Sequence, residues 1–365
     1  MFRRVYLDLI RNKISDRDIW WFFKRAVQYF LIHISYIIKR PLCGPAVAFL
    51  ITNYTCNYRC RMCDLPMRDK MLKVRGLKEL TTTQLKNSLK DLAGLGVSGI
   101  GFTGGEPLLR KDIFELIKYA KELRLIANFN TNGFCLDKET AKDLIEAGVD
   151  SINISLDSAD KNTHDRIRGY DGAFDRAIEA IGHVSALRKE KTMKPRLKVI
   201  AVISERNVEE IPDLLKLFVD VRVDCAEFIP EQPIYAAAAT GGAIYDPVFF
   251  SNLKKNIDYI LKFDRKKLRI ENSARHLRLF EKSFKNEKPP FRCYAGYNSY
   301  AIDCYGELYP CIPWVSLGKA AGNIKEMNLK DFWYSSGYNK IRNDILKCRG
   351  CYLNCQAELN LLFKI

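Results

Sequence analysis

Three thiols, Cys56, Cys60 and Cys63, lie within the eight residues "CNYRCRMC". Thiolates at that density suit soft or borderline metals, and a closed zinc site or an ordinary iron–sulfur cluster takes four protein ligands. A trio therefore leaves one coordination position to something other than the chain. Six more of the 12 cysteines crowd the last 73 residues (Cys293, Cys304, Cys311, Cys348, Cys351, Cys355), and only Cys43, Cys135 and Cys225 are scattered. The opening "MFRRVYLDLIRNK" has neither an uninterrupted apolar core nor a small-residue cleavage site, so a reducing cytoplasm is expected. There, clustered thiols read as metal ligands rather than disulfides.

The elements that would position the trio follow a simple alternation. Short β-branched apolar runs predict strands at 46–52, 99–103, 126–131, 151–156, 197–203 and 225–229, and segments of helical spacing at 82–96, 111–123, 138–148, 173–187 and 208–220 separate them. Six βα units in a row imply an α/β fold whose parallel sheet is either doubly wound or curled into a barrel, with ligands gathering where strands end. The strand-end segments are the three-cysteine loop, "TGGEP" (Thr103–Pro107), "NTNG" (Asn130–Gly133), "SLDS" (Ser155–Ser158) and "PEQP" (Pro230–Pro233). Gly104 and Gly105 would let backbone approach a ligand, and Glu106 could take an ammonium. Thr131, Asn132, Ser155 and Asp157 could bond hydroxyls. The set describes a polar small-molecule site beside a metal centre.

The formal charge of +16 suits nucleic acid, a membrane surface or an anionic substrate, but it is spread along the chain and no nucleic-acid motif accompanies it, so nucleic acid is not expected as a partner. Residues 19–38, "IWWFFKRAVQYFLIHISYII", have the length of a membrane span yet carry Lys24, Arg25, Gln28 and His33, which makes spanning improbable. Arg17, Lys24, Arg25, Gln28, Ser35 and Lys39 share one arc of a helical wheel. Two readings stay open: a helix lying in a membrane interface with Trp20, Trp21, Tyr29 and Tyr36 as anchors, or a helix packing its wide apolar face on the main domain or a second subunit. "RPLCGP" (Arg40–Pro45) then breaks the helix.

"CNYRCRMC" on the loop after the first strand, followed by "GGEP" (Gly104–Pro107) after the second, resembles the radical S-adenosylmethionine (radical SAM) superfamily. The resemblance implies that Cys56, Cys60 and Cys63 hold three irons of a [4Fe–4S] cluster, and that the amino and carboxylate groups of S-adenosylmethionine chelate the fourth. It implies that the reduced cluster splits the sulfonium to methionine and a 5′-deoxyadenosyl radical, which takes hydrogen from a substrate. Gly104, Gly105, Glu106 and Pro107 match the family element that binds the methionine amino group. Ser155 and Asp157 resemble its ribose and carboxylate contacts, and in "THDRIRG" (Thr163–Gly169) Arg168 or Arg166 could pair with the methionine carboxylate. Met62 stands where the family often has an aromatic residue.

Near the C-terminal end, Cys293, Gly306 and Cys311 are spaced C-x12-G-x4-C, which resembles the opening of the SPASM and twitch domains that hold auxiliary clusters. "SYAIDCYGELYP" reads as a hairpin turning at Asp303–Gly306. Only Cys348, Cys351 and Cys355 follow, too few for two complete clusters. One auxiliary [4Fe–4S] cluster is expected on Cys293, Cys311 and members of that trio, with zinc on the same thiols as the alternative. Cys304, in the turn, is expected not to ligate.

The expected organisation is an N-terminal amphipathic helix and linker (1–44), a partial (βα)6 TIM-like barrel (45–235), a helical connector (236–290) and a small cysteine-rich domain (291–365). The expected function is radical modification of a peptide or protein side chain, with a flavodoxin or ferredoxin as electron donor. A membrane lipid or a cofactor precursor is the alternative substrate, and a non-catalytic iron–sulfur or zinc scaffold the alternative of another class. Peripheral contact with the inner membrane face through residues 17–40 is part of the lipid reading.

Overall fold

The computed structural model describes residues 19–74, 76–190, 195–232, 245–348 and 350–363. Arg17, Pro233 and the start of the expected connector lie outside them. Each of the six expected strands forms: β1 Val47–Ile51, β2 Gly99–Thr103, β3 Ile126–Thr131, β4 Ser151–Ser155, β5 Arg196–Ile203 and β6 Cys225–Pro230. They pair in parallel in chain order, with Val47 opposite Gly99 and Ile51 opposite Thr103.

Alternation along these strands decides what each face can do. Leu50, Ile100, Phe102, Phe129, Ile152 and Val199 point outward, fully buried beneath the helices. The inward set is unlike them: Gly99, Gly101, Asn128, Asn130, Asn153, Lys198 and Glu227 line a lumen. Parallel strands buried on both faces normally read as continuous apolar runs, so polar and missing side chains on one face mark a space kept for something else.

The sheet does not stop at β6. A two-residue strand, β7 (Arg269–Ile270), adds beside it from within the expected helical connector. On the other edge β8 (Ser299–Ile302) pairs in parallel with β1 and turns back antiparallel into β9 (Glu307–Tyr309), with β10 (Gly322–Asn323) beyond, giving the order β10-β9-β8-β1-β2-β3-β4-β5-β6-β7. The expected hairpin is present, its turn closed by Gly306 at φ +88°. The C-terminal region thus continues the main sheet.

Helix α1 (Ile19–Ile38) packs on the main domain, one of the two readings left open, but not through its wide apolar face. Arg25, Gln28 and Ser35 of the polar stripe go inward instead, while Lys24 and Lys39 stay exposed. Arg25 Nη1 donates to the Gly96 carbonyl (2.7 Å), and Gln28 Nε2 reaches the carbonyls of Gly44, Pro45 and Gly96 at 3.0–3.1 Å. Ser35 Oγ accepts from Leu42 N–H (2.9 Å). Backbone carbonyls left over where the sheet begins need donors, and Arg25 and Gln28 supply them. Ile32 and Tyr36 complete the contact, Tyr36 stacking on Tyr294 (4.2 Å between ring centroids).

Candidate metal and cofactor centre

The loop after β1 carries Cys56, Cys60 and Cys63 and runs into α2 (Leu65–Val74). Two segments clamp it. Between α3 (Thr82–Gly94) and α4 (Ile113–Glu122), the turn after β2 presses Gly104 and Gly105 against residues 53–55; Gly105 N–H donates to Asn53 O and Glu106 N–H to Thr55 O, both at 2.9 Å. A Cβ on Gly105 would stand 2.1 Å from the Thr55 carbonyl oxygen, and one on Gly104 2.3 Å from that of Asn53. The glycines are needed for contact between two loops of the chain, where a ligand was expected. From the other side, after α5 (Lys138–Glu146) and β4, helix α6 (Lys161–Arg168) offers its last carbonyls to the loop: Arg59 N–H bonds to Arg168 O and Arg61 N–H to Ile167 O (3.3 and 3.0 Å). Gly169 ends that helix at φ +62°, and a Cβ there would lie 2.3 Å from Arg59 O.

The expected cofactor-binding residues do gather around this loop, but several side chains are already spoken for. Glu106 is 0% exposed; its carboxylate accepts from Thr131 Oγ1 (2.9 Å), Asn132 N–H (2.8 Å) and Leu108 N–H (3.1 Å). Burial pushes its carboxyl up to about 7 despite those three donors. In this geometry it ties the second strand-end loop to the third. Asp157, equally buried, meets Arg168 Nε at 2.7 Å and accepts from Val202 N–H (2.8 Å), so its carboxylate is engaged as well. Arg168 also brings Nη1 within 4.0 Å of Cys60 Sγ. Asn132 Nδ2 holds Asn57 Oδ1 (2.8 Å). Ser155 stays half-buried at the lumen edge. Met62 and Cys63 wall a cavity of ≈330 Å³ together with Gly104, Glu231 and Gln232.

Desolvation raises all three thiols of the loop above their ordinary values. Cys63 keeps an exposed edge, yet its sulfur sits among packed atoms and the neighbouring Cys60 adds to the shift, taking it to about 12. Some polar atoms around the loop also lack partners: Asn53 Oδ1, Asn57 Nδ2 and the Tyr58 hydroxyl are buried without a hydrogen bond.

The second thiol set converges from three places: Cys293 ahead of β8, Cys311 after β9, and Cys351 and Cys355 around the start of the C-terminal helix (Asn354–Leu362). Burial raises Cys293 to about 11 and Cys351 to about 12, and Cys311 and Cys355 further. Cys311 is pushed by Cys293, Cys351 and Cys355 together, and Cys348 adds to the shifts of Cys293 and Cys351. Cys304 lies apart, buried between the β8–β9 hairpin and α2 among Ile51, Tyr54 and Leu72. Among the described residues, no group of three or more His, Cys, Asp or Glu side chains is drawn together for a single metal ion.

Sequence reasoning missed the lumen between the two sets. A cavity of ≈230 Å³ runs from the β1 and β2 starts to Cys355 and shares Thr103, Ile229, Ile312 and Leu353 with the cavity at Cys63. Lys198 Nζ pairs there with Glu227 (2.6 Å) and Glu271 (3.2 Å), and Asn354 Nδ2 donates to Glu227 Oε1 (2.8 Å). The available signal was a polar residue at every second position of an otherwise apolar strand.

Two domain families match the chain: the radical SAM superfamily over residues 50–218 and an iron–sulfur cluster-binding domain, SPASM, over 293–352. The chain is 32% identical over 183 residues to a PqqA peptide cyclase of Bradyrhizobium diazoefficiens, covering 50% of this chain and 46% of the cyclase. It thus spans about half of that relative's length. An AdoMet-dependent heme synthase of Methanosarcina barkeri is 26% identical over 305 residues, 79% of this chain and 82% of the synthase. Among solved structures, Streptococcus suis SuiB bound to the precursor peptide SuiA shares the fold, with a TM-score of 0.66 at 20% identity over 85% of this chain and 70% of SuiB.

Proposed function

Because the chain belongs to the radical SAM superfamily and carries a SPASM domain, we propose that it is an enzyme that modifies a peptide or protein side chain by radical hydrogen abstraction. Its two domains imply a [4Fe–4S] cluster with S-adenosylmethionine and an auxiliary cluster. The residues present fit these groups. Each buried thiol set is held in the neutral form by desolvation and mutual repulsion, a cost that cationic iron offsets, and the partnerless Asn53, Asn57 and Tyr58 atoms beside the first set await a polar ligand. Cys56, Cys60 and Cys63 would hold the first cluster, and Cys293, Cys311, Cys351 and Cys355 the auxiliary one.

When bound, the first cluster and S-adenosylmethionine supply a one-electron cleavage whose product takes hydrogen from carbon, with the electron delivered by a flavodoxin or ferredoxin. The chain's own residues do the rest. Arg168, fixed by Asp157, keeps a positive charge beside the Cys60 thiolate. Gly104, Gly105 and Glu106 hold the loop rigid. Ser155 and Met62 border the space for the nucleoside. The lumen connects the cavity at Cys63 with Cys355 through Thr103, Ile229, Ile312 and Leu353.

The observation that carries the peptide reading is the chemistry of that lumen. Its polar side chains include four amides; Asn130 and Asn153 bond each other, Phe102 O and Ser151, and Asn354 Nδ2 donates to Glu227 and Phe228 O, which leaves Asn128 and the partnerless Asn354 Oδ1 to meet the amide groups of a peptide. A cofactor precursor is the second reading, favoured by the long match to the heme synthase. A tetrapyrrole's carboxylates would call for available cations, however, and Lys198 is paired twice already. The reading is tested with anaerobically reconstituted protein: dithionite should drive formation of 5′-deoxyadenosine from S-adenosylmethionine, and replacing Cys56, Cys60 and Cys63 by Ala should abolish it. A variant that still forms the product refutes the assignment.

A further inference from the structure

With Arg25, Gln28 and Ser35 turned inward, the opposite side of α1 is left bare. Trp20 (74% exposed), Phe23 (59%), Phe30 (62%) and Ile37 (58%), with Val27 and Ile38, recur every three to four residues along one face and meet solvent. Surface helices of soluble domains carry the reverse pattern, and apolar patches of this kind mark interaction sites. The charges around the patch select its occupant. From residue 19 to 63 the chain has no Asp or Glu, while Lys24, Lys39 and Arg40 stand exposed beside the apolar row. A second copy would set these cations against themselves; an anionic lipid surface would attract them. Aromatic side chains flanked by lysine and arginine suit the headgroup boundary, and no helix among the described residues is long and apolar enough to cross a membrane.

The place of α1 in the fold then fixes an orientation. The carbonyls it binds, of Gly44, Pro45 and Gly96, immediately precede β1 and β2, whereas the Cys56–Cys63 loop and "GGEP" follow the far ends of those strands. A five-residue strand, about 16 Å, lies between the two rims. We propose that α1 lays its outward face on an anionic bilayer and holds the thiol-bearing mouth of the sheet away from it. The membrane is then an address for the protein, and substrate reaches the mouth from the aqueous side. This inference stands on the fold and charge pattern, independent of the radical chemistry.

The test is flotation of the full-length protein with vesicles of phosphatidylcholine, with and without phosphatidylglycerol. Wild type should float only with the anionic vesicles and release as salt rises. The double substitution Phe23→Ser and Phe30→Ser should lower partitioning about tenfold or more, and Lys24→Glu, Lys39→Glu and Arg40→Glu about fivefold each, with thermal unfolding unchanged because none of these side chains is buried. Brominated lipids should quench Trp20, and should leave unquenched a tryptophan introduced as Leu317→Trp at the exposed end of the segment after Cys311. Three results would each overturn the proposal: indifference to anionic vesicles, equal quenching at both positions, or a lipid-free dimer that the Phe23/Phe30 substitutions dissociate.

Discussion

At the scale of single residues, buried carboxylates tie the loops of this centre together. Glu106 is the clearest case. Its folded pKa, pushed up to about 7, lies above the ordinary glutamate value, so between those two limits the native state binds a proton that the unfolded chain has released. Stability of the metal-free protein should therefore fall as pH rises from about 4.5 to about 7, by about 3 kcal/mol for this group. Glu106→Gln should flatten that slope in denaturant titrations, whatever it does to the baseline; an unchanged slope would place the proton elsewhere. The thiols divide in the same manner. Cys351→Ser should reduce iron from about eight to about four atoms per chain, and Cys348→Ser should leave the count unchanged when Cys293, Cys311, Cys351 and Cys355 hold the auxiliary cluster. Spacing identified the first trio in the sequence, but it could not choose among Cys348, Cys351 and Cys355, since their choice depends on how Cys311 approaches from another element. Nor could spacing reveal that Glu106 and Asp157 face inward; a carboxylate beside glycines reads the same whether it binds a cofactor or braces a loop.

At the scale of elements, the loops are fixed by backbone contacts that tolerate no side chain. Gly169→Ala should force an αL residue to carry a Cβ, about 1 kcal/mol, and drive that atom into Arg59 O. The expected result is displacement of the segment bearing Cys60: iron spectra lose the first cluster and keep the auxiliary signal. Full retention of both would show the α6 terminus to be a bystander. The strands and most helices were legible because their periods are local, and capping pairs such as Thr81 with Gln84 mark helix starts in the sequence itself. Helix α1 was half legible. Its amphipathicity is local, but which face turns inward depends on the carbonyls of Gly44, Pro45 and Gly96, and no periodicity reports where unpaired acceptors will lie.

At the scale of the whole molecule, two thiol sets open on one lumen whose common wall includes Leu353. Leu353→Trp should narrow that passage. The expectation is a large loss of turnover on substrate while substrate-free formation of 5′-deoxyadenosine continues, read by product analysis in parallel assays; equal loss of both would put Leu353 in the cofactor's own site. The alternation within β3 and β4 hints at a polar face, but the lumen itself needs Asn128, Lys198, Glu227 and Asn354 brought together from four parts of the chain. The union of β8 with β1 was equally hidden, since a parallel pairing across some 250 residues leaves no local trace. That pairing sets a timetable for biogenesis. At ribosomal speeds of roughly 5–20 residues per second, the trio following β1 emerges on the order of 10–50 s before the strand that will flank it has been synthesised. During that interval reactive sulfurs stand beside an unfinished sheet edge, so iron delivery to the nascent chain and delivery after release are different problems, and chaperones that shield the newborn edge would also shield the thiols from oxygen.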